Sequence, residues 1–416
     1  MLRPLLQLGQ FESVRQALIS IFALQDAGCP PRGRFTTTKG AIGTTGPRWA
    51  NSTGSALHLA AEYCLYSKDR LFQDAYLTKI VMAMEWIVGE VSATRCCDDK
   101  GKRLPGWGVM PWCCSTDGDD GYVVSFTDSY TFSGLKAGVE LLESLNHPDS
   151  ARFRRELELY REAIEAAVEQ MTEADGYIER YLKIGEQRIC RKFRGSGGGI
   201  QLLHNGLLQP DSERCNRYVE YFENRIAVGG LTFPMDQDIF YTTFFEHLWQ
   251  EAYLLRGEWK KAFLAMAVTL KYAVSPGGLQ VNERFHRKNP AFTPWQPNGS
   301  GSGRILDMLI REIYFERDGT AIVGGGLPWQ ILRKNKVTAL EELFTRRGKV
   351  SVRFEMIDDK QSVLKLEGAL PPKIRIPDFL RITAVDPGLE ACSKNKFSVA
   401  SGCRKTQLIV EDNSEG

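Results

Sequence analysis

Two kinds of helical segment alternate up to about residue 316, and this alternation constrains the fold more than any other feature of the chain. One kind is long and charged, as in ARFRRELELYREAIEAAVEQ, where apolar residues recur three and four apart and charges fill the remaining face. The other is richer in Gly, Ala, Ser and aromatics, as in NSTGSALHLAAEYCLYS. A charged helix must turn one face to water, whereas a small-residue helix allows close neighbours on several sides. A ring of helical hairpins needs both, the small-residue helices inside and the charged ones outside. The expected fold is therefore mainly α, an (α/α)6-type helical-hairpin barrel, with about ten or eleven helices visible by periodicity.

Beyond that point the period changes. GKVSVRFEMIDDKQSVLKLEG places Val350, Val352, Phe354 and Met356 on one face, turns at Asp358-Asp359-Lys360 and resumes an extended pattern. KIRIP, FLRITAVD, FSVAS and TQLIVED read as further short strands. A small C-terminal β-sandwich is expected, which divides the chain into a barrel domain over 1–316 and a β-domain over 317–416.

A chain of 416 residues is long enough for such cores, and 53 basic against 51 acidic residues leave no electrostatic footprint for nucleic acid. No apolar run approaches membrane-spanning length, so no membrane partner is expected. MLRPLLQLGQF is too short and polar for a signal peptide, which predicts a cytoplasmic protein if Met1 is its true start. Ten cysteines include the pairs Cys96-Cys97 and Cys113-Cys114. Adjacent cysteines are poorly spaced for zinc, leaving plain thiols or loop disulfides and no metal or cofactor.

In such a barrel the loops from outer to inner helices gather at one mouth. The candidates are 28–51, 95–127, 173–194, 226–238 and 275–303, and they hold Trp49, Trp107, Trp112 and Trp295. Indole faces suit the alternately apolar and hydroxylated surface of a sugar. The same loops carry carboxylates. PWCCSTDGDDGYVVSFTDSYTF holds Asp117, Asp119, Asp120 and Asp128, FPMDQD adds Asp236 and Asp238, and LQVNERFHRKN holds Glu283 beside Arg284 and His286. Glycoside hydrolysis needs one carboxylic acid and one carboxylate, about 6.5–9.5 Å apart when the reaction inverts configuration. Glu283 is the best second carboxylate. The acid is Asp128, with Asp120 or Asp119 as alternatives; Asp128 precedes a helix and is also a candidate N-cap. Asp236, Asp238, Arg48, Arg284 and His286 are candidate substrate contacts. DGDD formally matches the protonating motif of terpene cyclases, but polar, tryptophan-rich loops oppose that reading. A calcium loop counted from Asp117 fails at Gly121 and Asp128.

Three segments carry a family resemblance: GPRWANSTGSALHLAAEYCLYSKDRLF, LQVNERFHRKNPAFTPWQPNGSGSGRILDMLIREI, and DGTAIVGGGLPWQI with RRGKVSVRFEMIDD. Through them the chain resembles the six-hairpin glycosidases, most of all the α-L-rhamnosidase type. The resemblance implies that Glu283 is the water-activating base of an inverting mechanism acting on a carbohydrate. Two departures accompany it. Asn282 and Phe285 stand where the family usually has tryptophans, and GPRWANSTGS lacks the carboxylate that the family uses as its acid. Either an N-terminal part is missing or the acid has moved to the 111–128 loop. The leading expectation is a glycoside hydrolase releasing a terminal sugar, α-L-rhamnose or a uronic acid. The alternatives are a catalytically silent glycan-binding relative and a polysaccharide lyase, in which Tyr130 or His286 abstracts a proton and Arg284 neutralises the uronate.

Overall fold

The computed structural model describes residues 2–413 except Asp117, Lys394 and the stretches 190–196, 228–233, 236–239, 276–279 and 286–296; at 234–235, 240–242, 244 and 284–285 it describes the backbone alone. The chain forms two compact units, one of Phe11–Ala227 and one joining Met1–Gln10 to Gln237–Gly416. The helices of the N-terminal half are α1 (Arg3–Gln7), α2 (Phe11–Phe22), α3 (Asn51–Ser67), α4 (Arg70–Ala93), α5 (Thr127–Ser144) and α6 (Ser150–Met171). They are followed by α7 (Gly199–His204), α8 (Glu213–Arg225), α9 (Thr243–Arg256), α10 (Trp259–Ala273), α11 (Gly299–Ile313) and α12 (Trp329–Asn335). None is long and apolar enough to cross a membrane.

In the first unit the two kinds of helix behave as their composition predicts. On α6, Phe153, Leu157, Tyr160, Ile164, Ala167 and Met171 are buried at spacings of three and four, while the arginines and glutamates between them meet solvent. α3 is buried on most of its surface and lies against α5. A Cβ on Gly54 would stand 2.4 Å from Thr131 Cα, and one on Gly134 would stand 2.2 Å from the Gly54 carbonyl oxygen, so the two backbones touch. Ala50, just before α3, donates its N–H to the Cys114 carbonyl at 2.9 Å, and Thr127, the first residue of α5, donates its hydroxyl to Ser115 at 2.8 Å, so both helices begin at the same end. The α3–α4 turn is closed by Lys68 in the left-handed conformation and by Asp69, which accepts from Phe72 N–H at 3.0 Å and from the Tyr63 hydroxyl at 2.7 Å.

In the second unit α9 and α11 are joined by buried charges. Arg311 reaches Glu251 at 2.8 Å and Asp307 at 2.6 Å, and Arg317 meets Glu251 at 3.0 Å. The strands of the chain are β1 (Cys113–Thr116) and β2 (Asp119–Gly121) in the first unit, then β3 (Pro234–Met235), β4 (Phe240–Thr242) and β5 (Arg284–Phe285). Strands β6 (Tyr314–Arg317), β7 (Thr320–Val323), β8 (Val337–Thr345), β9 (Gly348–Met356) and β10 (Gln361–Gly368) come next. They are completed by β11 (Lys373–Arg375), β12 (Leu380–Val385), β13 (Leu389–Ser393), β14 (Lys396–Val399) and β15 (Lys405–Asp412). Two five-stranded sheets result, ordered β12-β15-β10-β9-β8 and β13-β14-β11-β7-β6. Register follows the period-two pattern: Phe354 faces Leu364, which faces Leu408, and all three are buried. Ile374, Ile376 and Phe397 of the second sheet enter the same apolar core. The turn at Asp358 forms as expected, its carboxylate accepting from the N–H groups of Lys360 and Gln361.

Gly54→Val should force α3 and α5 apart. The expected loss is about 1–3 kcal/mol or more, because the atoms it meets are backbone. Ser55→Ala, on the exposed face of the same helix, should leave the melting temperature unchanged; equal melting of both variants would refute the close contact.

Candidate functional site

Because α3 and α5 begin at one end, the loops that precede them are delivered to the same place. There they pair. Arg34 N–H donates to the Trp112 carbonyl at 2.8 Å and Cys114 N–H to the Arg32 carbonyl at 2.7 Å, while Ala50 N–H donates to Cys114 at 2.9 Å. β1 pairs on its other edge with β2, Cys114 opposite Asp120. The loop after α6 completes the ladder, Asp120 and Arg188 exchanging backbone hydrogen bonds at 2.7 and 2.9 Å. Three of the five expected loops thus meet within one unit; the other two lie largely outside the described residues.

Side chains alternate across such a ladder. One row of one face therefore reads Arg32, Cys114, Asp120, Arg188, and the next row of that face carries Arg34 and Trp112. Asp120 accepts from Arg32 at 2.6 Å and pairs with Arg188 at 3.1 Å. The Arg34 guanidinium lies 5.5 Å from the centre of the Trp112 ring, whose Nε1 donates to the Glu186 carbonyl. The opposite face holds Gly33 and the buried Cys113. A Cβ on Gly33 would stand 2.7 Å from that of Cys113, so only glycine lets Arg32 and Arg34 sit this close to β1.

The other two aspartates of the loop point inward. Asp119 forms a buried ion pair with Arg180 and accepts from the Thr116 hydroxyl. Removing one partner of such a pair costs about 3–5 kcal/mol. Asp128 is 1% exposed. It does not cap α5: the residue before the helix is Phe126, and the Asp128 carboxylate turns aside to accept from Met110 N–H at 2.7 Å and from the Tyr160 hydroxyl at 2.8 Å. It thereby ties the loop before α5 to α6. Burial outweighs these two bonds and pushes its carboxyl up to about 7.

Glu283, in the second unit, has a different setting. Its carboxylate accepts from Asn298 Nδ2 at 3.0 Å, while Asn298 Oδ1 caps α11 by accepting from Gly301 N–H at 2.6 Å. The same residue's carbonyl accepts from Thr243 N–H at 3.1 Å, at the start of α9. α11 begins at Gly299, because the Asn298 cap lets the Gly/Ser run enter the helix. The carboxylate is consequently held at the positive end of a fifteen-residue helix.

Of the remaining candidates, Trp49 is half-buried just before α3, and Trp107 lies under Arg103, whose guanidinium is 3.8 Å from the ring centre. Asp236, Asp238, His286 and Trp295 lie outside the described residues, as does the Arg284 side chain. Sequence reading missed Arg32, Arg34, Arg188, Asn298 and Tyr160 as site residues. The alternation Arg-Gly-Arg at 32–34 was the one available signal of a ladder strand. The described cysteines are free thiols, Cys190 being outside the described residues, and no metal-binding cluster occurs among the described residues.

No protein-family model matches the chain, and no curated protein matches it. Solved structures do. The chain is similar to a Streptomyces avermitilis α-L-rhamnosidase complexed with L-rhamnose, at 14% identity and a TM-score of 0.52, over 95% of this chain and 36% of that one. It is also similar to an α-L-rhamnosidase from Dictyoglumus thermophilum, at 9% identity and a TM-score of 0.51, over 88% of this chain and 40% of that one. The likeness is one of fold: a rhamnosidase-like six-hairpin glycosidase fold, helical with a β-domain. The chain spans 36% and 40% of the length of these two proteins.

Asp128 makes a pH-dependent contribution to stability. The folded chain keeps this proton up to about 7, whereas the unfolded chain releases it near the ordinary value of about 4. The contribution is therefore complete below the unfolded value and lost as pH rises through the folded one. Asp128→Asn should remove that slope, worth on the order of a few kcal/mol, and should stabilise the protein relative to wild type at about pH 8.5 but not at about pH 5. Parallel melting curves for the two proteins across that range would contradict it.

Proposed function

We propose that the chain is the barrel and β-sandwich portion of an inverting glycoside hydrolase, its helices closing an (α/α)6-type barrel over 1–316 ahead of the β-domain at 317–416. Glu283 activates water. The observation that carries the reading is the Glu283 carboxylate fixed by Asn298 at the start of α11, in a chain that shares the fold of α-L-rhamnosidases. A general base must be held in one orientation toward the water it activates. Here the Asn298 amide supports Oε2. The substrate is a terminal sugar, α-L-rhamnose or a uronic acid. Of the three described loop aspartates, all buried, Asp120 alone shares a face with the exposed arginines Arg32 and Arg188, and the acid role falls to it.

A second reading has its own observation. Asp120 serves two arginines as a carboxylate, Asp119 serves a third, and Asp128 is enclosed. If no carboxyl beyond these three serves as a proton donor, the chain is a glycan-binding relative without turnover.

Hydrolysis of aryl glycosides, α-L-rhamnoside and uronides included, separates the two. Glu283→Gln should lower wild-type turnover by at least about a hundredfold with folding intact. Asp120→Asn should lower it as well, while Asp128→Asn should change stability and spare turnover. Full activity in Glu283→Gln would overturn the assignment of the base, and a folded wild type that binds glycans without turning them over would support the second reading.

A further inference from the structure

The face that carries Arg32, Arg34, Trp112 and Arg188 has more positive charge than its carboxylates answer. Arg32 and Arg188 share one partner, Asp120, and are 44% and 64% exposed. Arg34 is exposed as well. It lies over Trp112 at 5.5 Å from the ring centre and has no carboxylate partner among the described residues. Arg48, which leads into the same ladder, donates only to the Pro30 carbonyl among the described residues. Exposed arginines ordinarily find a carboxylate or wave freely in water. Arg34 does neither, because its guanidinium rests within cation–π reach of the Trp112 ring, and Trp112 is itself held by its bond to the Glu186 carbonyl.

We infer that this face is a subsite for a sugar bearing a carboxylate, a uronate, whose charge is received by the guanidinium of Arg34 with Arg32 and Arg188 beside it. Guanidinium and carboxylate are both planar, and two parallel N–H donors match two oxygens, so the pairing selects a carboxylate by shape as well as by charge. Asp120 then acts on the ligand through the arginines: it aligns Arg32 and Arg188 along one row of the ladder and keeps them from collapsing elsewhere. Its single charge offsets one of the two, which leaves the row net positive before Arg34 is counted. Glu186 meets Trp112 through its backbone carbonyl, which accepts from the indole Nε1. A neutral deoxysugar would leave Arg34 without a partner on binding and would gain nothing from the row.

The inference rests on the carbohydrate reading of the site but not on catalysis. Binding of a short oligogalacturonate and of its methyl ester, which has the same shape without the charge, is measured by calorimetry on the full chain. Wild type is expected to bind the acid at least about tenfold more tightly than the ester, with the preference shrinking at high salt. Arg34→Gln should abolish the preference while leaving the weak binding of the ester unchanged. Equal binding of acid and ester, binding of neither, or an undiminished preference in Arg34→Gln would each overturn the subsite. So would equal affinity for a polyphosphate of matched charge, since that would reduce the face to a non-specific polyanion surface. Hydrolysis is read separately. Turnover of a glycoside with equal binding of acid and ester would remove the subsite and leave the hydrolase standing; preferential uronate binding without turnover of any glycoside would do the reverse.

Discussion

The backbone contact between α3 and α5 is the constraint on which the first unit turns. Two helices can approach this closely only where neither carries a side chain, and Gly54 and Gly134 supply that opening from both sides. Because the helices run in the same direction, the contact decides where their leading loops arrive. Residues 32–34 and 112–114 then lie within hydrogen-bonding reach, and the ladder follows. The chemistry-bearing face is in this sense a product of helix packing: its residues hold no position of their own until the helices behind them are in place.

The three aspartates of one short loop show how a ladder and a helix start sort identical residues into different roles. Asp119 and Asp120 are neighbours, so alternation sends one carboxylate to the underside, where Arg180 waits, and the other to the outer face between Arg32 and Arg188. Asp128, eight residues further on, stands in the first turn of α5 and is drawn off by Met110 and Tyr160. Composition made the loop look uniformly acidic. Among its described aspartates, geometry leaves only Asp120 on the face with the exposed arginines, and it is already paired with two of them.

How much of this was legible in the sequence depends on the range of the interactions. α3 and α6 were read at their observed limits because their periodicity is local, and β9 and β10 were read because alternation and the Asp358 turn lie within twenty residues. That loops from separate hairpins meet was foreseen from the barrel pattern. What they do on meeting was not, because Arg188 and Asp120 are far apart in sequence and nothing in either segment announces the pairing. Tyr160 is the clearer case: on α6 it reads as one more apolar residue of the buried stripe, yet its hydroxyl is what holds Asp128. Asn298 caps α11 and holds Glu283, which a Gly/Ser run gives no reason to expect until the cap is recognised.

The ladder also bears on how the protein is made. Its rows join residues 32–34, 112–121 and 188, so no two neighbouring strands of the cluster except β1 and β2 are close in the chain. Closing loops of that length costs entropy before any contact rewards it, and such contacts form slowly. A chain leaving the ribosome has Arg32 and Arg34 exposed long before Asp120 exists to offset their charge. Until then the first ladder strand is an unpaired edge with two neighbouring positive charges, and those charges act as gatekeepers that discourage other chains from pairing with it. The arginines that give the finished face its character therefore also guard the strand during synthesis.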